Sequence, residues 1–160
     1  MCFISKINLE RARQEWFVRN SLELAMAEEF ISKVRDEDIE QMKMHNENML
    51  KLAGMPDDYA NIYEYQMEDN RFHAVAYKVT GQGLAAEVIA TTMAHYSRLR
   101  FLTDIEDFYR ERTVKGHNRL LEYIENRDIE RYKSGIKIHL HHIIDDIEEL
   151  SQKYPMYFEA

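Results

Sequence analysis

Four side chains that can bind a divalent metal lie on the predicted inward faces of three helices. Asp69 and His73 are four residues apart, so a helix places both on one face, one turn apart. His117 and His139 each have apolar residues three and four positions away, which puts them on apolar stripes. A carboxylate oxygen and three imidazole nitrogens suit Zn²⁺, Ni²⁺, Mn²⁺ or Fe²⁺, so the pattern indicates a metal site in a bundle core.

Each of these residues also has a purely structural interpretation. A buried carboxylate must be paired, and Asp69 would be satisfied by a hydrogen bond to His73 alone. His142 lies one turn after His139, and periodicity does not separate the two as ligands. The remaining histidines, at positions 45, 95 and 141, are not expected to bind metal. Because imidazoles must be neutral to bind, metal affinity is expected to fall below about pH 6.

The sequence lacks the signatures of several enzyme classes. There is no His-Glu-x-x-His, and no Glu stands three residues before a His, which argues against metalloproteases and ferritin-like di-iron proteins. The segment Gly81-Gln82-Gly83 has no predicted strand before it and indicates a helix break rather than a phosphate loop. We therefore predict a binding protein and not an enzyme. The alternative is a helical-bundle metalloenzyme with a three-His site, similar to DinB-like thiol transferases.

Long helices must position these residues. Apolar residues recur at three- and four-residue steps, and no segment alternates with a period of two, so no sheet is predicted. Thr103 and Asp128 have the residue types of helix caps. The predicted fold class is all-α, an antiparallel bundle of about six helices with the metal site in its core. The helices are expected at about 9–34, 36–53, 56–79, 84–101, 103–126 and from 128 almost to the C-terminus.

Composition sets further limits. The 160 residues suit one domain, and 45% hydrophobic residues are too many for a disordered chain. The single Cys2 fits a reducing cytoplasm, and no apolar run approaches the roughly 20 residues of a membrane span. The formal net charge of −8 would repel phosphate backbones. These residues alone are therefore not expected to bind DNA.

The order of the candidate ligands resembles a known family. Asp69-Asn70-Arg71-Phe72-His73, His117, and Asp128 followed eleven residues later by His139-Leu140 are similar to the pattern of the FadR C-terminal ligand-binding domain (FCD) of GntR-type transcription regulators. The segment from Arg19 to Glu23 matches the opening Arg-x-x-Leu-Glu of that family. The resemblance runs from about 17 to 150, nearly the whole chain.

The resemblance implies a site and a function. In the family an Asp and three His hold a divalent metal inside a helical bundle, which selects His139 over His142 here. Small carboxylates or sugar acids bind in the same cavity and alter DNA binding by an N-terminal winged helix, and the implied assembly is a homodimer. By position, Arg19 and Gln82 would contact the effector, although Arg19 could instead pair with Glu23.

Two departures and the N-terminus complete the comparison. Gln82 stands where the family usually has Asn, and Gly116 stands where an acidic residue often precedes the His. Residues 1–6 resemble the last wing strand of the winged helix, so 1–8 are expected to be a remnant of that strand and its linker. Residues 9–160 are expected to form the effector-binding domain, without a DNA-binding domain in this chain.

Overall fold

The fold of this chain consists of helices joined by short connections. A computed structural model describes residues 5–159. Within that range there is no strand, only an isolated bridge between Ile7 and Phe158, and no helix is long and apolar enough to cross a membrane. The all-α prediction is confirmed. The elements are α1 (Leu9–Lys33), α2 (Asp36–Ala53), α3 (Tyr59–Val79), α4 (Gly83–Thr92), α5 (Ala94–Asp104), α6 (Asp107–Glu125), α7 (Ile129–Asp145), α8 (Ile147–Lys153) and a 3-10 turn (Pro155–Tyr157).

Polar side chains fix where three of the helices begin. Asn8, Asp58 and Asp128 each accept a hydrogen bond from the backbone N–H three residues later, at the starts of α1, α3 and α7. Such a cap satisfies an N–H group that the helix itself leaves free, and it stabilises a helix by about 1 kcal/mol. The predicted cap at Asp128 is therefore present.

The helix predicted at 84–101 is divided in two at Met93. The hydroxyls of Thr91 and Thr92 donate to backbone carbonyls four residues earlier, an arrangement that bends helices. The carboxylate of Glu15 on α1 accepts a hydrogen bond from a backbone N–H in the first turn of α5, at 2.8 Å. A side chain distant in sequence thus caps the second half, and the local pattern contains no sign of it.

Two other predicted boundaries differ from the structure. The last predicted helix is divided at Asp146, whose carboxylate pairs with Arg112 on α6. The fifth predicted helix begins at Asp107 instead of 103. Thr103 does not cap it, because its hydroxyl donates to the carbonyl three residues earlier inside α5. The bundle therefore has eight α-helices in its described part instead of about six.

Most of the buried apolar side chains fall into two groups, and a small third group contains Met49, Tyr65 and Val114. The first joins α1, α2, α3, α6 and α7 and includes Phe30, Phe72, Leu120, Ile124 and Ile136. The second joins α5 and α8 to the two ends of the described chain and includes Ile7, Tyr96, Leu99, Ile147 and Leu150. The candidate ligands lie between the first and second groups. Phe72 of the first group stacks on the His117 ring, and Tyr96 of the second group lies against Arg19 and Arg100 beside the ligands.

Candidate metal centre

The structure brings Asp69, His73, His117 and His139 together. One ligand atom from each lies within 4.8 Å of the other three. His117 Nε2 is 3.2 Å from Asp69 Oδ1, and His139 Nε2 is 3.3 Å from His73 Nε2. Neighbouring ligand atoms bound at about 2.1 Å to one tetrahedral or octahedral ion are about 3.0–3.4 Å apart. The spacing therefore suits a single ion contacted by all four residues.

The Nε2 atom of His117 provides the sharpest test of that fit. The side chain is 0% exposed, and Nε2 has no hydrogen-bond partner in the described part of the chain, since Asp69 is close but not aligned for one. The other nitrogen, Nδ1, pairs with Asn46 Oδ1 at 3.1 Å and so carries the proton. The lone pair of Nε2 thus faces the cluster. Leaving it unmatched is costly, whereas a divalent ion would satisfy it.

Buried groups orient two of the other ligands. His73 Nδ1 pairs with Glu23 Oε2 at 2.8 Å, and Glu23 Oε1 accepts a hydrogen bond from Arg19 at 2.8 Å. Asp69 Oδ2 accepts from Arg100, which leaves Oδ1 facing the histidines. Such partners fix the ring tautomer and its direction, as in many metal sites. The arrangement presents His73 Nε2 and Asp69 Oδ1 to the same point.

Phe72 holds the His117 ring from the side. The two ring centroids are 3.8 Å apart with an interplanar angle of 7°, and Phe72 is almost completely buried. Stacking leaves the imidazole free to move only within its own plane, where its two nitrogens lie. The phenylalanine between Asp69 and His73 therefore contributes to the site by positioning the third ligand.

Burial keeps two of the imidazoles neutral. It lowers the pKa of His117 to about 4, even though the nearby Asp69 acts in the opposite direction. It also lowers the pKa of His139 well below its usual range, and the neighbouring His117 and His73 add to that effect. Neutral imidazole is the form that binds metal, so the folded chain holds these rings ready for an ion.

The two carboxylates of the site stay ionised. Burial alone would raise the pKa of Asp69, but the guanidinium of Arg100 together with the neighbouring His117 and His73 outweighs it, and the pKa lies well below its usual range. Burial is likewise outweighed at Glu23, where His73 and Arg19 lower the pKa to about 2. The cluster thus offers negative charge to a cation while the arginines balance it.

Gly116 lies directly against the third imidazole. A Cβ atom at this position would be 2.7 Å from His139 Nδ1, closer than side-chain carbons come to other heavy atoms. The position of the His139 ring in the cluster therefore requires glycine at 116. Glycine, in place of the acidic residue that is usual at this position in the resembled family, leaves space for the His139 ring.

A Gly116→Ala variant should consequently bind metal more weakly. The methyl group would push the His139 ring out of the cluster, and loss of correct ligand orientation costs about 10–100-fold in metal affinity. The measurement is a zinc titration in competition with a chelating dye. Gly83→Ala is the matched control, because a Cβ there meets no atom within 4 Å. Equal zinc affinity in Gly116→Ala and Gly83→Ala would contradict the positioning role.

Two cavities adjoin the cluster. The first, which we call the polar cavity, has a volume of about 60 Å³ and is lined by residues that include Asp69, His139, Thr103, Asp104, Arg112 and Thr113. The second, the apolar cavity, has a volume of about 510 Å³ and is lined by residues that include Met67, Tyr77, Ala86, Ile89 and Met93. His73, Arg19, Tyr96 and Arg100 line both.

The predicted effector-binding residues have different surroundings. Arg19 is buried, pairs with Glu23 and lines both cavities, so the two interpretations of this residue are compatible. Gln82 is exposed at the start of α4 and is not among the residues that line either cavity. His142 lines the polar cavity but is not part of the cluster.

The other three histidines pair elsewhere. His45 bonds to Glu68 at 2.7 Å, and His95 accepts a hydrogen bond from the backbone of Asn8. His141 lies 3.2 Å from Asp145 on the surface of α7. None of the three is in the cluster.

Comparison with known proteins identifies the family. The FCD domain matches residues 16–142 of this chain, a range that contains all four clustered residues. The chain belongs to the FCD domain family. The resemblance predicted from the sequence is thereby confirmed, and the match supports an effector-binding domain of a transcription regulator.

Two relatives agree with this FCD assignment. The HTH-type transcriptional repressor RspR of Escherichia coli (strain K12) is 20% identical over 158 residues, which are 98% of this chain and 67% of RspR. An uncharacterised HTH-type transcriptional regulator from an unstable DNA locus of Streptomyces ambofaciens is 21% identical over 156 residues, 98% of this chain and 64% of the relative. Both relatives extend beyond the part that this FCD domain matches.

Sequence reasoning missed three residues that support the cluster of this FCD domain. Asn46 lies in a polar segment of α2 and gives no local signal, although it bonds His117. Arg100 stands among the apolar residues of α5, and an arginine on an apolar stripe is itself a sign of a buried partner. The sequence indicates Glu23 as a possible partner of Arg19, but it does not indicate the second contact of Glu23, with His73.

Proposed function

We propose that this FCD domain senses a small carboxylate or sugar acid through a divalent ion held by Asp69, His73, His117 and His139. The observation that carries the proposal is the buried Nε2 of His117, which has no partner among residues 5–159 and is directed into a cluster of ligand atoms within 4.8 Å of one another. The proposal includes a homodimer and a GntR-type regulator. DNA would be contacted by a winged-helix domain outside these residues, since the net charge of −8 opposes contact by this part.

The donor set favours binding over catalysis. Four protein ligands leave one or two positions on an octahedral ion, enough for a carboxylate, whereas catalytic zinc sites use three protein ligands. The carboxylates that touch the histidines are both engaged, Asp69 by Arg100 and Glu23 by Arg19. Neither of these two is free to act as a general base, and the third carboxylate beside the site, Asp104, lines the polar cavity without pairing with a clustered histidine. The DinB-like alternative, which predicts turnover, is less well supported than a sensor that binds and releases its ligand.

Local charge supports an anionic effector. The chain as a whole is acidic, but Arg19 and Arg100 line both cavities beside the cluster. Glu23 and Asp69 already pair with these two guanidinium groups, so the ion itself would supply the unmatched positive charge. Attraction for an anion is therefore confined to the site. Positive charge at the site would allow a domain that is acidic overall to attract a carboxylate.

Carboxylates should raise the melting temperature of the metal-loaded protein alone. A ligand that binds only the folded state stabilises it by about 2.7 kcal/mol at a hundredfold excess over its dissociation constant. The measurement is a thermal shift screen with acetate, citrate, succinate and gluconate, each repeated with a chelator. Neutral analogues such as acetamide serve as controls. Equal shifts with and without the chelator would contradict recognition through a metal.

A further inference from the structure

The polar cavity contains a buried carboxylate that has no partner in the described part of the chain. Asp104 is 6% exposed and lines this cavity together with Asp69 and His139. The nearest arginines are engaged elsewhere. Arg100 bonds Asp69 and Asn70, and Arg110 bonds the backbone carbonyl of Asp104 and not its carboxylate. The Asp104 oxygens are not among the fully enclosed atoms of the described chain, and no partner there holds them away from the cavity that this residue lines.

A carboxylate in this situation is costly unless something bonds to it. Burying a polar group without a hydrogen bond costs several kcal/mol in apolar surroundings. Burial raises the pKa of Asp104 to about 7, against the opposing effect of Arg100, so the group still lacks a matched cation. In either protonation state at least one oxygen remains available as a hydrogen-bond acceptor.

We propose that Asp104 accepts a hydrogen bond from a hydroxyl group of the effector, so that the ligand of the polar cavity is a short hydroxy acid. The inference rests on the proposed function, in which the carboxylate of the ligand binds the ion. Asp104 then determines specificity at the other end of the same ligand. An acid that lacks the hydroxyl leaves this buried acceptor unmatched.

The donor is a hydroxyl and not an ammonium group. Arg19, Arg100 and Arg112 line the polar cavity, but each is already paired with a carboxylate. The bound ion would therefore bring the unmatched positive charge, and it would repel an ammonium group at short range. A hydroxyl donates a hydrogen bond without carrying a charge. The charge of the ion thus favours a neutral donor.

The size of the cavity limits the ligand to a few heavy atoms. Its volume is about 60 Å³. A single water needs about 10–15 Å³ of such space, so the cavity accepts roughly four to six water-sized groups. An acid of three or four carbon atoms with one hydroxyl meets that limit.

The test compares acids that differ by one group. Zinc-loaded wild-type protein is titrated calorimetrically with propionate, lactate, 3-hydroxypropionate and alanine. A hydrogen bond to a carboxylate contributes about tenfold or more in affinity, so at least one hydroxy acid should bind about tenfold more tightly than propionate. Alanine should bind no more tightly than propionate.

A 2-hydroxyl group can also bind the metal directly. Variants at position 104 therefore separate the contribution of Asp104 to hydroxy-acid affinity from the contribution of the ion. Asp104→Asn keeps an acceptor oxygen and should keep the preference for the hydroxy acid. Asp104→Leu, or Asp104→Ala if the leucine variant does not fold, should reduce the ratio of hydroxy-acid affinity to propionate affinity to about threefold or less. Asp36→Leu, at a fully exposed position, is the matched control. Zinc content and melting temperature report folding of each variant.

The outcomes distinguish the inference from the function on which it rests. A preference for hydroxy acids that is the same in wild type and in the Asp104→Leu or Asp104→Ala variant would overturn the role of Asp104. Tighter binding of alanine than of lactate would overturn the choice of hydroxyl. If propionate binds zinc-loaded protein and the hydroxy acids bind no better, the inference alone is wrong. If none of the acids binds, the proposed function is wrong as well.

Discussion

A His73→Ala, His117→Ala double variant is expected to lose stoichiometric metal binding. These residues supply two of the four clustered ligand atoms, and the orientation of each depends on a buried partner. Removing a partner of a ligand alone weakens metal binding about 10–100-fold, so removing two ligands should weaken it by more than about a hundredfold. Elemental analysis after dialysis, together with a zinc titration, measures the loss.

The matched control removes two histidines outside the cluster. His45 pairs with Glu68 and His141 lies beside Asp145, so His45→Ala, His141→Ala should bind metal as the wild type does. Circular dichroism confirms that both double variants remain helical. The same metal content in the cluster variant and the control variant would refute the assignment of these ligands.

The metal-free protein is expected to become less stable as the pH falls, in a way that depends on His117. Burial lowers its pKa from 6.5 to about 4 in the folded chain. Between these values the unfolded chain binds a proton and the folded chain does not, so acid favours unfolding. The contribution of His117 to stability is complete above about pH 6.5 and is lost as the pH falls to about 4. The full loss is about 3 kcal/mol.

The measurement must isolate this residue. Burial raises the pKa of Asp104 to about 7, so protonation of Asp104 stabilises the folded chain over part of the same range. The quantity to follow is therefore the difference in unfolding free energy between wild type and His117→Gln, measured with urea at several pH values. That difference should decrease by about 3 kcal/mol from pH 7 to pH 4. A difference that is independent of pH would contradict the buried, neutral state of His117.

Helical periodicity predicted which residues face the core, and that was sufficient to bring the candidate ligands together. Asp69 and His73 meet because they are one turn apart, and His117 and His139 meet them because each lies on a buried stripe. The choice between His139 and His142 needed more than periodicity, since both line the polar cavity. It is His139 that enters the cluster in the structure.

Long-range contacts explain what the sequence alone did not predict. The break between α4 and α5 depends on Glu15, a residue of α1 that accepts a backbone hydrogen bond from Tyr96. The tautomer of His117 depends on Asn46, which lies 71 positions away in the chain. The expected fall in metal affinity near pH 6 stays a prediction, and the low pKa of about 4 that burial gives His117 is a feature that the sequence alone did not indicate. Such effects arise only once the helices are packed.

X-ray absorption spectroscopy of the zinc-loaded protein tests the metal centre most directly. The spectrum reports the ligand atoms and their distances without any variant. The four clustered residues predict about three imidazole nitrogens and one or more oxygens, with a first shell near roughly 2.0–2.2 Å. Bound carboxylate should change the oxygen shell and leave the imidazole signal intact. A first shell of oxygen alone, without imidazole scattering, would contradict a centre built from Asp69, His73, His117 and His139.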